Sequence, residues 1–482
     1  MKNQMLKQLK EFFKPMKDVI HDQVYIKKVP SYGNSFFFTI GVYLLELFAI
    51  LAVTGIVMLV FGPFWWNLNP VGTFLRSVHL WAAEAFVTLM FVHLIVNFST
   101  SAFKQKKLIW MVGSVMLLLV LLQFAFGVGF GGGLVSQWNA EAGADLWNGM
   151  GLGYWINPLN QGAVFGWHVA IIPVILILLM ALHFFMVKKQ GISKPYRKDI
   201  PYKMVLANHR KMYKNMLYIL LVVLVFAILF SSPYIPPLTI SQAATMQPQA
   251  TATTFLNEFN FSSATATYLD TINPYSFSTR NVYVLKPYYT YLNLTNSTNE
   301  AAVFFSENAS AQSNTMAQAF SYFGNNGSIS GGLNSTNPLI SMSSQLTVMA
   351  QEGVYQPILQ SEESSGLDST YVIRFLFDTG ILSSVSYSYG LDPSQWGMLA
   401  VGSPPWALQY WLAPYDYMEI ATSNIPWWND IENGAIAMAM FLVLMFLPFI
   451  PGLKKLPDKL KLYKLFWNRF TNPEQRKKLK KR

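Results

Sequence analysis

The stretches RSVHLWAAEAFVTLMFVHLIVNFS, residues 76–99, and HVAIIPVILILLMALHFFMVKK, residues 168–189, decide the fold. Each is a predominantly apolar run of membrane-crossing length, and each carries two histidines, His79 and His93 in the first, His168 and His183 in the second. The chain has only six histidines, so four of them sit inside these runs. An ionisable side chain in a bilayer is costly, and such residues have a partner or a function. Fourteen residues separate His79 from His93. In an α-helix that interval is about 21 Å and returns close to the same face. His168 and His183 are fifteen apart, about 22 Å with a modest rotation.

Four further stretches complete the pattern: Phe36 to Trp66, Leu108 to Leu134, Met216 to Phe230 with its flanks, and Gly434 to Leu453. With Val78 to Ser101 and Val164 to Val187 they make six spans, each near the roughly 20 residues that cross a bilayer. The 482 residues are 52% hydrophobic and 12% charged, with a mean hydropathy of +0.29. A net charge of +11 does not indicate nucleic acid, because the basic residues cluster beside the spans at Lys2 to Lys28, Lys104 to Lys107, Lys188 to Lys214 and Lys454 to Arg482. With six spans these clusters share one side, taken as cytoplasmic by the positive-inside rule. Cysteine is absent, which excludes disulfides, thiolate-held iron–sulfur clusters and thioether-linked haem in this chain. The basic arm leads into a segment too long for a signal-peptide core, so the first span is expected to be retained.

The second and fourth spans are separated by the third and run parallel, so their histidines meet at two depths. His79 with His168 on the outer side, and His93 with His183 on the inner side, supply the two axial imidazoles that a six-coordinate, electron-transferring haem needs. A metal site or polar contacts between helices are the competing readings. Glycines repeat the period: Gly41 and Gly55 in the first span, Gly113 and Gly127 in the third, each pair fourteen apart. A planar macrocycle between helices needs close backbone approach, which glycine permits; packing through small residues is the alternative. Arg76, one turn before His79, can pair with a haem propionate or snorkel to the interface.

Residues 1 to 30 read as a cytoplasmic amphipathic arm or a solvated basic tail. The outer segment from Gly131 to Asn160 is rich in glycine and tryptophan. A long insert, near Ser231 to Ile431, is rich in Ser, Thr, Asn and aromatics, and carries six N-x-S/T sequons at Asn260, Asn293, Asn296, Asn308, Asn326 and Asn334. These favour an extracellular, glycosylated segment. The runs Tyr283 to Leu292 and Tyr371 to Phe377 predict strands, and hence a folded, β-containing insert.

These motifs resemble the cytochrome b family of quinol:cytochrome c oxidoreductases, within it the chloroplast-type branch. The match rests on Arg76, His79 and His93; on Trp110, Gly113 and Gly127; and on the fifteen-residue histidine interval with Pro173 and the tail KKQGISKPY, together covering roughly residues 30 to 230. The resemblance implies two non-covalently bound b-type or related haems, with membrane quinol and quinone as substrates. It also implies a Rieske iron–sulfur protein, other respiratory subunits and lipid as partners, in a dimeric complex. The family's quinol-site PEWY motif is matched only by Pro404, Pro405, Trp406 and Ala407. The missing glutamate leaves Asp416 and Glu419 as candidates for the proton-accepting role, unless they are solvated interfacial acids. The family's L-P-W turn after Gly127 is absent, and one span rather than several follows the PPWA region. The long, neutral, Asn-rich insert resembles those of archaeal respiratory subunits. Lys188 and Lys189 can serve propionates or quinone, or act only as positive-inside residues.

The expected architecture is an all-α transmembrane protein with a four-helix di-haem bundle, two further spans and the extracellular insert. Its segments are a cytoplasmic arm (1–30), the di-haem core (31–190), a basic loop (191–214), the fifth span (215–233), the insert (234–403), the PPWA region (404–431), the sixth span (432–453) and a cytoplasmic basic tail (454–482). The expected role is transmembrane electron transfer from quinol with proton translocation. A di-haem, quinone-reactive anchor of a dehydrogenase or hydrogenase would share the histidines but not the repeated glycines and PPWA. A proton or metal transporter would give no reason for the common period.

Overall fold

The computed structural model describes residues 28–153, 155–194, 202–230, 234–267, 277–295, 298–363, 366–397, 410–425 and 430–467. The elements used below are β1 (Lys28–Pro30), α1 (Phe36–Leu68), α2 (Pro70–Ser99), α3 (Lys107–Gly129), α4 (Leu134–Gly149), α5 (Gln161–Gln190), β2 (Met204–Leu206), α6 (His209–Leu229), α7 (Pro248–Phe259), α8 (Pro338–Gln351), α9 (Thr370–Asp378), α10 (Ala413–Thr422) and α11 (Asp430–Phe446). Among the described residues six helices are long and apolar enough to cross a membrane: Phe36–Pro63, Pro70–Ser99, Lys107–Gly129, Gln161–Gln190, His209–Leu229 and Glu432–Phe449. The chain is thus a multi-pass, predominantly helical membrane protein, as the apolar runs predict. It divides into two compact units, one made of Met1–Val120, Leu176–Ser231 and Phe441–Arg482, the other of Leu121–Ile175 and Ser232–Met440.

In the first unit α1 and α2 form a hairpin whose turn is written in the sequence. Gly62 adopts φ +76° and is followed by Pro63, which breaks α1, so the span ends three residues before Trp66. Pro70 then opens α2 while Asn69 caps it, its side chain accepting from Val71 and Gly72 N–H. Gly72 is required there, since a Cβ would lie 2.3 Å from the Trp65 carbonyl oxygen. α6 packs on this hairpin: Ser77 donates to the Ala227 carbonyl at 3.0 Å and Trp81 Nε1 to the Phe230 carbonyl at 2.6 Å. These two bonds occupy carbonyls at the C-terminal end of α6 that the helix itself leaves open. β1 pairs antiparallel with β2, Val29 opposite Val205, and Tyr32 packs edge-on against Trp467. Large apolar side chains remain exposed along the spans, among them Val53, Ile56, Val60, Leu178, Phe185 and Ile228. In a bilayer such surface faces lipid, where only helices with internally satisfied backbones survive.

The second unit corrects the expectation of β structure. Among its described residues the segment 234–397 forms no strand, and a single isolated bridge joins Asn160 to Asp368. The two predicted strands are both helical: Arg280–Leu285 is a π turn continued by an α-helix over Lys286–Thr295, and Tyr371 to Phe377 lies within α9. Tertiary packing overrode the β propensity of these aromatic and β-branched runs, a preference that depends on context. The rings of Phe255, Tyr283, Tyr355 and Phe375 meet in one cluster, with Phe255 and Phe375 centroids 5.0 Å apart and Tyr283 and Phe375 5.6 Å apart. Tyr355 Oη donates to the Tyr283 carbonyl at 2.9 Å. α8 is buried along nearly its whole length at the centre of this core. Arg374 of α9, 2% exposed, reaches Glu141 of α4 at 2.5 Å and Asp145 at 3.4 Å. The five sequon asparagines within the described residues, Asn260, Asn293, Asn308, Asn326 and Asn334, are exposed, and Asn296 lies outside them.

Candidate functional site

Two of the candidate histidines, His79 and His168, are held by a neighbouring helix of their own unit. His79 on α2 has its Nδ1 2.8 Å from Thr54 Oγ1 on α1. The Thr54 hydroxyl donates back to the Ile50 carbonyl at 2.8 Å. Its one hydrogen is thereby used, so Thr54 accepts from an Nδ1–H of His79. A Cβ on the adjacent Gly55 would lie 3.4 Å from His79 Cε1. Thr54 and Gly55 thus form one cradle, the hydroxyl fixing the ring and the glycine giving it room.

His168 lies on a π turn, Trp167–Ile171, within α5. Its Nδ1 is 2.9 Å from the Gln123 backbone carbonyl on α3, and its own carbonyl accepts from Gln123 Nε2 at 2.6 Å. A carbonyl only accepts, so Nδ1 carries the hydrogen. A Cβ on Gly127 would sit 2.6 Å from His168 Cε1 and 3.2 Å from Nδ1, inside the space of the ring.

His93 and His183 are near enough to interact electrostatically, and Lys106 lies within the same range of His183. His183 Nδ1 is buried with no hydrogen-bond partner. A Cβ on Gly113 would meet His183 Cε1 at 3.6 Å, an ordinary contact, while Gly41 has nothing within 4 Å. This revises the reading of the glycines. Three of the four lie against an imidazole on a neighbouring helix, so their immediate service is to the histidine ring.

These residues fit a bis-histidine ligand set. Ligating histidines as a rule donate their second ring N–H to a carbonyl, carboxylate or other acceptor, which fixes the ring, and the Nδ1 atoms of His79 and His168 lie against such acceptors. Among the described residues no group of three or more His, Cys, Asp or Glu side chains could hold a metal ion. Axial haem ligation asks for only two protein ligands.

The remaining candidates divide. Arg76 Nη1 donates to Asn67 Oδ1 at 2.9 Å. Lys188 and Lys189 are exposed at the end of α5. Pro404, Pro405 and Trp406 lie outside the described residues. Asp416, on α10, is fully buried, so the solvated reading fails for it; the packing of α10 turns its carboxylate inward. Glu419 is half-buried and accepts from Asn433 Nδ2 at 2.8 Å. Sequence reasoning missed Thr54 and Gln123. Gln123 had a signal, being the one amide side chain in the apolar run from Leu108 to Gly129, where a polar group needs a partner.

Comparison with known proteins gives one answer. Residues 84–249 match the profile of the family described as cytochrome b (N-terminal)/b6/petB. Cytochrome b6 of Heliomicrobium gestii is 28% identical over 194 residues, 35% of this chain and 89% of that one. Cytochrome b6 of Heliobacterium modesticaldum is 29% identical over 199 residues, with the same coverage of 35% and 89%. A cytochrome bc complex cytochrome b subunit of Chlorobaculum thiosulfatiphilum is 28% identical over 204 residues, 36% of this chain and 46% of that one. A solved structure described as a hyperthermophilic respiratory Complex III aligns at TM-score 0.39 and 17% identity, over 76% of this chain and 97% of that chain. The matched segment, which holds His93, His168 and His183, is similar to proteins of the cytochrome b/b6 type over about a third of the chain.

Proposed function

We propose that this chain is the di-haem cytochrome b subunit of a quinol-oxidising respiratory complex, carrying electrons across the membrane with coupled proton translocation. The observation that carries the reading is the tie of His79 Nδ1 to Thr54 and of His168 Nδ1 to Gln123, which fixes both rings through the same nitrogen. When bound, the haems supply one-electron transfer between the two faces of the membrane. On the sequence periods given above, His79 with His168, and His93 with His183, would hold the two haems. Gly55, Gly113 and Gly127 keep the ring positions open, and Arg76 with Asn67 is placed to meet a propionate. Asp416, buried on α10, takes the proton-accepting role of the glutamate that the PPWA segment lacks, with Glu419 on the same helix as the next acceptor.

The fifteen-residue histidine interval, Pro173 and the KKQGISKPY tail support the chloroplast-type branch. The basic clusters support cytoplasmic termini with the insert outside, and the exposed sequons and Asn-rich composition support a glycosylated surface segment of archaeal type. A Rieske protein as electron acceptor and a dimeric complex follow from the same family reading.

The test is a reduced-minus-oxidised spectrum of the purified complex, quantified as haem per chain, in the wild type and in His93→Ala. Two low-spin haems, with one lost in the variant, are expected. A wild type without haem, or a variant with unchanged content, overturns the reading.

A further inference from the structure

Gln123 contacts His168 twice, and the reason lies in the π turn. Ile172 N–H bonds the Trp167 carbonyl, five residues back. The next bond in that register would run from residue 173 to the His168 carbonyl, but residue 173 is proline and has no N–H. Proline at 173 thus takes away the N–H that would reach the His168 carbonyl in that register, and a backbone acceptor left bare in an apolar span is costly. Gln123 Nε2 supplies the donor at 2.6 Å.

The same residue's backbone carbonyl receives His168 Nδ1–H at 2.9 Å. It is reachable because Gly127, one turn further along α3, has no side chain between it and the ring. Gln123 Oε1, meanwhile, is buried without a hydrogen bond. A buried unsatisfied amide oxygen costs about 1–3 kcal/mol, so leucine would be the cheaper residue at 123 were its N–H not needed. The amide group serves His168 or it serves nothing in the span.

We infer that Gln123 is a positioning residue for the His168 ligand. It closes the gap that Pro173 opens in α5 and holds the imidazole by its Nδ1–H, so that Nε2 is presented at a fixed angle. This rests on the di-haem reading of the site. A hydrogen bond from Nδ1–H makes the imidazole a stronger donor to iron and favours the oxidised form. Loosening the clasp therefore raises the reduction potential of the haem on His168.

The experiment compares the purified wild-type complex with Gln123→Leu and with Gln123→Leu/Pro173→Ala, by redox potentiometry and low-temperature electron paramagnetic resonance of each haem. Gln123→Leu is expected to retain two haems, to shift one midpoint upward with a changed g signature, and to leave the other haem unmoved. In the double variant residue 173 regains an N–H, the helix can satisfy the His168 carbonyl itself, and the shift shrinks. If Gln123→Leu does not accumulate, Gln123→Met, of similar length and without a donor, carries the same measurement. Unchanged signals in the single variant, or an equal shift in single and double, overturn the inference. A wild type without haem overturns the parent reading instead, so the two failures are distinct.

Discussion

Alanine at position 127 separates two explanations of the repeated glycines. If they clear space for a macrocycle, all four positions should reject a methyl group alike. If they clear space for imidazoles, tolerance should follow the contacts. A Cβ at 127 would lie 2.6 Å from His168 Cε1, so the ring must retreat by at least 0.8 Å to reach the 3.4 Å of ordinary contact. A retreat of that size along the 2.9 Å bond from Nδ1 to the Gln123 carbonyl leaves it beyond hydrogen-bond range. Overpacking costs about 1–3 kcal/mol, and the gain in helix propensity from glycine to alanine returns about 1 kcal/mol. The net loss of about 0–2 kcal/mol leaves the chain folded but its ligand displaced. At Gly113 the corresponding contact is 3.6 Å and at Gly41 there is none within 4 Å, so alanine there should be tolerated, with Gly55 at 3.4 Å intermediate. The assay is haem per chain with reduced-minus-oxidised spectra for the four single variants. Gly127→Ala should lose one haem while Gly41→Ala and Gly113→Ala keep both. Equal loss at all four positions would refute the imidazole account, and a spectrally normal Gly127→Ala would refute the packing at His168.

Thr54→Val removes the acceptor from His79 Nδ1 without changing side-chain shape; potentiometry should show one haem with a raised midpoint and the other unchanged. Arg374→Met leaves Glu141, 1% exposed, without its cation. Breaking a buried pair in this way costs about 3–5 kcal/mol, or about 6–20 °C in the unfolding temperature of a unit this size, measurable by tryptophan fluorescence. Burial holds the Glu363 carboxyl up at about 8, partly offset by the Tyr371 N–H that it accepts, and burial with the neighbouring Asp378 raises Glu258 well above the usual carboxylate range. Because both folded values lie above the unfolded carboxyl value, their contribution is complete below about pH 4 and is lost as pH rises through the folded values. Unfolding temperatures recorded from pH 5 to 9 should fall with pH, and Glu258→Gln with Glu363→Gln should flatten the slope.

The spans were legible because they depend on spacing along a single helix, which the chain writes directly, and the four histidines lie within two of them. The glycine period was legible too, but not its cause: it takes the neighbouring helix to show that Gly127 faces a ring and Gly41 faces none. Tyr283 and Phe375 misled because aromatic runs favour strands locally, whereas here they are buried against Phe255 and Tyr355 from distant segments. Arg374 sat in one of those runs as an unexplained charge until α4 supplied Glu141. Asp416 was ambiguous for a similar reason, since an acid two residues after Pro414 can point to solvent or inward with equal ease in the sequence.

The unequal histidine intervals have a common resolution in the π turn. Fourteen α-helical residues fall about 40° short of four full turns, whereas fifteen run about 60° past. A regular helix would therefore turn the two rings of α5 away from the phase that His79 and His93 keep. A π turn takes up one residue more than an α turn. The one at Trp167–Ile171 lies at the head of the interval from His168 to His183, and a π turn offsets part of the rotation that regular α geometry would give over fifteen residues. Pro173 fits this arrangement because it cannot make the α bond to residue 169. The wider turn leaves the His168 carbonyl open, and Gln123 covers it at 2.6 Å. The extra residue, the proline and the glutamine are thus parts of one device. Deleting a residue from the π turn should be tolerated only together with replacement of Pro173, because an α register restored with proline in place would leave residue 169 unpaired and drive the ring against its carbonyl.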